Sequence, residues 1–133
     1  MPTEQEIWQV LHQHLHAIYA GDPDTYQATT HAELSLYEWF VTPHRIDGLP
    51  FHRFMMEHSW SGSQGADWRY DLLEPRLQIF GDCAIASYTL VVSIFKDGSL
   101  RNTSVNESRV LVKFSDGWKV VHVHKSPAGG TSP

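Results

Sequence analysis

Histidine and lysine side chains alternate with apolar ones near the end of the chain, in the segment W-K-V-V-H-V-H-K-S at residues 118–126. Its β-branched residues and period of two predict a strand, and the side chains of a strand point alternately to opposite faces. Such a strand can present a charge to a cavity or simply close a sheet. Strict alternation predicts two sets, Trp118, Val120, His122 and His124 on one face, and Lys119, Val121, Val123 and Lys125 on the other.

Arg109 and His52 are two further candidates for a polar site. Arg109 is either a cation that faces a cavity or a surface arginine, and in both cases Glu107, two residues earlier on the same face of a strand, is the expected counter-charge. The imidazole of His52 titrates near neutrality, which suits a hydrogen-bond donor or a general acid and base. A structural histidine near the start of a helix is the alternative.

The remaining histidines do not predict a metal site. Residues two apart on a helix point about 200° apart, so of His12, His14 and His16 only the first and the last share a face. His122 and His124 supply two ligands at most, whereas zinc sites use three or four protein ligands. We therefore expect neither a metal nor a cofactor.

Composition excludes several classes of partner. The 133 residues carry a net charge of −5 with no run of cations, which argues against a nucleic-acid or membrane-surface footprint. The first residues lack the layout of a signal peptide, and no apolar run approaches the roughly 20 residues of a membrane span, so we expect a cytoplasmic protein. A disulfide framework is impossible with Cys83 alone, and its apolar surroundings predict a buried free thiol.

Three helices are predicted before residue 66. The string Thr3–Glu6 matches a capping box, and apolar residues then recur at helical spacing as far as Gly21. Asp22 followed by a proline predicts a second helix through about Ala28. A third helix opens at Gly48 and ends before the glycine- and serine-rich residues 61–65.

The rest of the chain alternates with a period of two. A short strand is predicted at Glu33–Trp39, and four long strands joined by glycine-containing hairpin turns follow the third helix. We expect a bend or bulge at Pro75. Helices followed by an antiparallel meander predict an α+β fold in which helices cover one face of a sheet. We expect one domain at residues 1–126 and a flexible tail at 127–133. The four long strands are Trp68–Phe80, Cys83–Phe95, Leu100–Phe114 and Trp118–Lys125.

Three strings, in this order, resemble one family. They are G-L-P-F-H-R-F at 48–54, L-R-N-T-S-V-N-E-S-R at 100–109 and D-G-W-K-V-V-H-V-H-K-S at 116–126. The chain resembles the association, or hub, domain of calcium/calmodulin-dependent protein kinase II, within the SnoaL-like and nuclear-transport-factor-2-like superfamily. The resemblance implies a cone-shaped fold, with a curved sheet around a long helix, and assembly into homodimers that close into rings. No kinase signature occurs in the sequence, so contact with a kinase or with calmodulin is implied by the resemblance alone.

The resemblance also implies a pocket for a small anionic, carboxylate-like molecule. His52 and Arg109 match the family's pocket histidine and an arginine of its penultimate strand, and Lys125 stands where the family has a further arginine. Leu90 stands where the hub has another arginine, which removes a bidentate fork and alters the ligand set. The other candidate ligand contacts are Tyr37, Glu38, Tyr88 and Glu107.

A small enzyme of the isomerase, dehydratase or cyclase type is the competing hypothesis. Relatives by fold carry acid/base chemistry in such cones, although a fold alone does not determine an activity. Glu38 and Glu107 are the candidate acids, with His52 as their partner and Tyr88 as a possible donor. These residue types are compatible with catalysis and with ligand binding alone.

Overall fold

A computed structural model describes residues 2–59 and 66–129. The predicted α+β class is confirmed: three helices accompany one sheet of six strands. The helices are α1 (Pro2–Ala20), α2 (Pro23–Ala28) and α3 (Leu49–Ser59), and the strands are β1 (Thr30–Glu38), β2 (Ile46–Asp47), β3 (Asp67–Phe80), β4 (Cys83–Lys96), β5 (Ser99–Phe114) and β6 (Gly117–Pro127).

The starts of the first two helices differ in how well the sequence predicts them. The α1 helix begins at Pro2, so Thr3 lies inside its first turn and the capping box predicted there is wrong. Asp22 is the N-cap of α2, as predicted, because its side chain accepts a hydrogen bond from the Thr25 amide at 3.1 Å. Capping of this kind satisfies an amide that has no partner within the helix.

The strands lie in the order β2-β1-β6-β5-β4-β3. Neighbours are antiparallel except β1 and β6, which run parallel and join the first strand of the chain to the last. The two-residue strand β2 pairs with Ser35 and Leu36 and was not predicted. Its existence depends on a partner distant in sequence, which local alternation does not reveal.

A bulge in β6 changes which of its side chains share a face. Val110 of β5 pairs with His122 and Leu111 pairs with Val120, so in this register Val121 has no residue opposite it. An extra residue of this kind reverses the alternation that follows it. The prediction of strict alternation along β6 is therefore wrong. The residues buried on the inner face are Trp118, Val120, Val123 and Lys125.

A second bulge lies in β3, where one was predicted. The pairing with β4 shifts between Leu73 and Arg76, around Pro75, which has no amide hydrogen to donate. Glu74 has a φ of +50° at this point. Cys83, predicted to be buried, is a free thiol at the start of β4 and is half-exposed, because it points to the outer face of the sheet.

The core lies between α1 and the inner face of the sheet. Ile7, Leu11 and Leu15 of α1 are fully buried, as their helical spacing predicts,. Alternate residues of β4 supply the opposite wall, from Ala84 to Val92. Near the ends of β1 and β6 and in the middle of β5, buried charged side chains take the place of apolar ones.

Candidate functional site

Five ionisable side chains meet inside the domain: Glu38, His52, Glu107, Arg109 and Lys125. We call them the ion cluster. Glu38 is the last residue of β1, His52 lies in the first turn of α3, and the other three come from the paired strands β5 and β6. All five are buried, with 1 to 9 % of their surface exposed. Charges buried to this extent are stable only when they are paired.

Glu38 joins the lysine and the histidine of the ion cluster. Its Oε2 lies 2.7 Å from the Nζ of Lys125 and its Oε1 lies 3.3 Å from the Nε2 of His52. A carboxylate only accepts hydrogen bonds, so Nε2 carries the proton. On its other side, the Nδ1 of His52 lies 3.1 Å from the hydroxyl of Tyr26. Both oxygens of Glu38 are therefore engaged.

Arg109 and Glu107 form the second half of the ion cluster, and the pair predicted between them is confirmed. The Nη2 of Arg109 lies 3.3 Å from Oε1 of Glu107. The hydroxyl of Tyr88 donates to the same oxygen at 2.8 Å and accepts from the Nε of Arg109 at 3.0 Å. Lys125 links the two halves, since its Nζ lies 3.9 Å from Oε2 of Glu107.

His14 also contacts Arg109 and was not predicted as a site residue. Its Nε2 lies 2.9 Å from the Nη1 of Arg109, and its Nδ1 lies 2.9 Å from the hydroxyl of Thr29. Arginine only donates, so Nε2 accepts and the proton must be on Nδ1. The signal was present in the sequence: residues 7, 11, 14 and 18 follow one face of a helix, which places this histidine among the core residues of α1.

The pKa values follow from these contacts. Burial by itself raises the pKa of Glu38, but Lys125 and the hydrogen bond from His52 lower it to about 2. Burial likewise opposes ionisation of Glu107, yet Arg109 and Lys125 hold its pKa below the usual range. The pKa of His14 is well below its ordinary value because of burial and of the charge on Arg109.

Charge balance limits what the ion cluster can do chemically. At neutral pH the two carboxylates compensate Arg109 and Lys125, and both halves are hydrogen-bonded internally. Each cation is therefore already engaged by a carboxylate, and each carboxylate by side chains of the ion cluster or of Tyr88. Among residues 2–59 and 66–129, no group of three or more His, Cys, Asp or Glu side chains could hold a metal ion.

The model of the calcium/calmodulin-dependent protein kinase II association domain matches residues 3–129. The chain belongs to this family. Within the family, the chain is similar to a crystal structure of the kinase hub from S. rosetta, with 31 % identity and a TM-score of 0.79 over 93 % of this chain and 95 % of that one. The hub homology domain of Chlamydomonas reinhardtii has the same fold, with a TM-score of 0.84 at 24 % identity, covering 95 % of this chain and 98 % of that one.

The association domain is only one part of the curated relatives that the chain matches. Similarity to the calcium/calmodulin-dependent protein kinase type II of Caenorhabditis briggsae, at 29 % identity over 131 residues, covers 97 % of this chain and 24 % of that protein. The chain thus spans about a quarter of its length. In the part of the chain that the structure describes, no helix has the length and apolar character needed to cross a membrane.

The three strings typical of the association domain converge in space. They contribute His52 at the start of α3, Arg109 in β5 and Lys125 in β6, all within the ion cluster. Glu38, Glu107 and Tyr88 join them. Leu90 stands at the position where, by the resemblance, the kinase hub has an arginine, and it is 1 % exposed on the inner face of β4. Tyr26 joins from α2 and was not predicted either.

Tyr37 was predicted as a ligand contact but lies on the other face of the sheet from the ion cluster. Because Glu38 points inwards, its neighbour on β1 points outwards, and the ring of Tyr37 lies 5.0 Å from that of His124 and 6.4 Å from that of His122. His122 is hydrogen-bonded at 2.8 Å to Ser35, also on the outer face. Burial and His124 lower the pKa of His122. The structure therefore separates the histidine pair from the ion cluster.

Proposed function

We propose that this association domain is a self-associating hub, forming at least a homodimer, and that its ion cluster takes up a small carboxylate. Membership of the family supports the first part, because the solved relatives are hub and association domains. Family membership carries no ligand, so the second part depends on the geometry of the ion cluster.

The outer face of the sheet is the observation that carries the proposal of self-association. Cys83 pairs with Val112, and Ile85 pairs with Val110, which in turn pairs with His122. These side chains are half-exposed although they lie in the middle of a six-stranded sheet. A contiguous apolar area of this kind on a single chain is typical of an interface between proteins. A symmetric dimer would cover it with the same area of a second copy.

Native mass spectrometry of the purified protein tests self-association. We expect the dimer mass, or a multiple of it, at micromolar concentration. The same measurement after dilution separates a specific complex from aggregation, because a closed symmetric assembly gives discrete masses. A monomer at every concentration would contradict the proposal, and discrete masses above the dimer would indicate a ring.

The ion cluster is suited to a small carboxylate because it already binds two. Lys125 and His52 hold the carboxylate of Glu38, and Arg109 with Tyr88 holds that of Glu107. Interactions between opposite charges are stronger in such water-excluded surroundings than at the surface. Lys125 is the most exposed member, at 9 %, so this half of the ion cluster is the one that a ligand would reach.

A thermal-shift screen of small carboxylates tests the second part. Ligands that bind only the folded state stabilise it by about 2.7 kcal/mol at a hundred times Kd, so weak binding is visible at high concentration. We expect stabilisation of the wild type and a reduced effect in Lys125→Met, which keeps the aliphatic stem and removes the charge. The absence of stabilisation by any carboxylate would remove the main support for this part.

A further inference from the structure

We infer that the carboxylate of Glu38 is an internal ligand: it occupies the subsite formed by Lys125 and His52, and an external carboxylate binds there only by replacing it. The inference rests on the proposed uptake of a small carboxylate by the ion cluster. It adds which residues form the subsite, what fills the subsite in the free protein, and why a neutral molecule would not bind there.

The geometry at Glu38 is that of a bound carboxylate. One oxygen lies 2.7 Å from an ammonium nitrogen and the other lies 3.3 Å from an imidazole nitrogen that carries a proton. A free carboxylate in the same place would use the same two donors, because the ammonium and the imidazole N–H each donate to one carboxylate oxygen. The side chain of Glu38 supplies this group from within the chain.

Glu38 is better placed to leave than Glu107. Glu107 lies within β5, where it is paired with Tyr88 of β4 and Lys125 of β6 in the sheet. Its Oε1 accepts hydrogen bonds from the side chains of Tyr88 and Arg109. Glu38 is the last residue of β1, and its carbonyl accepts from the amides of Val41 and Thr42 in the turn that follows. The backbone that follows Glu38 is a turn outside the ladder of the sheet, so it can move together with this side chain, whereas the backbone at Glu107 is held between two strands.

The route to the subsite lies beside Lys125. The ring of Phe40 covers the ammonium group, with its centroid 5.8 Å from Nζ, and 58 % of this residue is exposed. Phe40 lies in the turn directly after Glu38. A movement of this turn would therefore uncover Lys125 and withdraw Glu38 together.

The buried ammonium of Lys125 needs a counter-charge, so Glu38 can leave only when another anion takes its place. Removing the carboxylate alone would leave the ammonium of Lys125 buried and short of a counter-charge, with Glu107 at 3.9 Å as its other acid. An unpaired buried charge is strongly unfavourable. Exchange for another carboxylate keeps the balance, whereas a neutral molecule does not.

The experiment compares Glu38→Ala and Glu38→Gln with the wild type, with formate and acetate as probes and chloride at equal ionic strength as the reference. Glu33→Ala is the matched control, because this acid lies on the same strand but is exposed. Thermal unfolding and calorimetric titration give the stability and the Kd. We expect Glu38→Ala to be destabilised, to be restored by acetate in a saturable way, and to bind acetate at least about tenfold more tightly than the wild type. Adding Lys125→Met should abolish the restoration.

The outcomes separate this inference from the proposal on which it rests. Equal affinity of the wild type and Glu38→Ala would overturn the inference and leave the proposed uptake intact. Binding by neither protein would overturn both. If Glu38→Ala folds only in formate or acetate, the inference is supported. If it folds in neither, Glu38→Gln decides: the neutral amide should raise the affinity for acetate, and an affinity no higher than that of the wild type would overturn the inference.

Discussion

At the scale of residues, the properties of the ion cluster depend on each charge having its opposite within the domain. Arg109 is 1 % exposed and fills the space between α1 and the sheet. Its guanidinium contacts Glu107 through Nη2, Tyr88 through Nε and His14 through Nη1. A planar fork with fixed donors suits such a position better than a flexible lysine. Removing one partner therefore costs far more than the contact itself contributes.

Glu107→Gln should destabilise the domain by about 3–5 kcal/mol, because it leaves the buried Arg109 without its nearest counter-charge. Urea unfolding followed by circular dichroism measures the change. Asp71→Asn is the matched control: Arg69 and Asp71 are also two residues apart on one strand and 2.7 Å from each other, but they are exposed. We expect a much smaller effect there, since exposed pairs contribute little. Equal effects of the two variants would contradict the role given to burial.

His14 should make the domain sensitive to mild acid. Its pKa in the folded protein is well below the ordinary histidine value of 6.5, so below that pH the unfolded chain binds a proton that the folded protein does not bind. Stability is therefore full above about pH 6.5 and falls by up to about 1.4 kcal/mol per pH unit below it. Unfolding free energies measured between pH 7.5 and pH 5 test this slope.

His14→Gln is the control for the acid effect. Its amide oxygen can accept from Arg109 and its NH2 group can donate to Thr29, but it does not titrate. We expect a shallower slope below pH 6.5 in this variant. A slope equal to that of the wild type would assign the acid sensitivity to other groups, such as His122, whose pKa is also lowered.

At the scale of elements, what could be predicted from the sequence is what depends on neighbours along the chain. The face of α1, the Asp22 cap and the hairpin turns of the meander are local features and were predicted. Strand β2 and the extra residue of β6 depend on pairing with distant strands, so alternation alone did not reveal them. Lys125 was nevertheless assigned to the pocket, because that assignment came from the resemblance of the last string to the family and not from the alternation.

The candidate site divides in the same way. The resemblance of three strings to the family predicted His52, Arg109 and Lys125 as site residues. Along β1, side chains alternate between the two faces of the sheet, so that Glu38 points inwards and Tyr37 outwards. His14 and Tyr26 come from the helices, and their contacts with Arg109 and His52 arise only when those helices pack on the sheet. When residues meet only because distant elements pack together, no characteristic spacing in the sequence predicts their contact.

Deleting Val121 should leave the faces of β6 unchanged, because it removes the extra residue of the bulge. Without it, Trp118, Val120, Val123 and Lys125 follow a continuous alternation, and all four still point to the inner face. Deleting Val121 and His122 together is the contrast: it turns either the first two or the last two of these residues to the outer face, which should be strongly destabilising. Urea midpoints compare the two deletions. A single deletion as harmful as the double one would show that the bulge itself is needed.

At the scale of the whole molecule, the two faces of the sheet carry different side chains. The inner face holds the core and the ion cluster. The outer face is apolar at one end, around Ile85, and polar at the other, where Ser87, Ser108 and His124 follow one another across β4, β5 and β6. Self-association through the outer face would leave the inner one undisturbed, so assembly and ligand uptake can be tested separately.

Ile85→Lys should convert the assembly into a folded monomer. The side chain is half-exposed between Gln78 and Val110 on the outer face, so a lysine can reach solvent in the single chain, whereas a symmetric interface would bury two like charges against each other. Sedimentation velocity gives the mass, and circular dichroism confirms the fold. Gln9→Lys, the same charge added on the exposed side of α1, should keep the mass of the wild type. An unchanged mass for Ile85→Lys would place the self-association surface elsewhere on the domain.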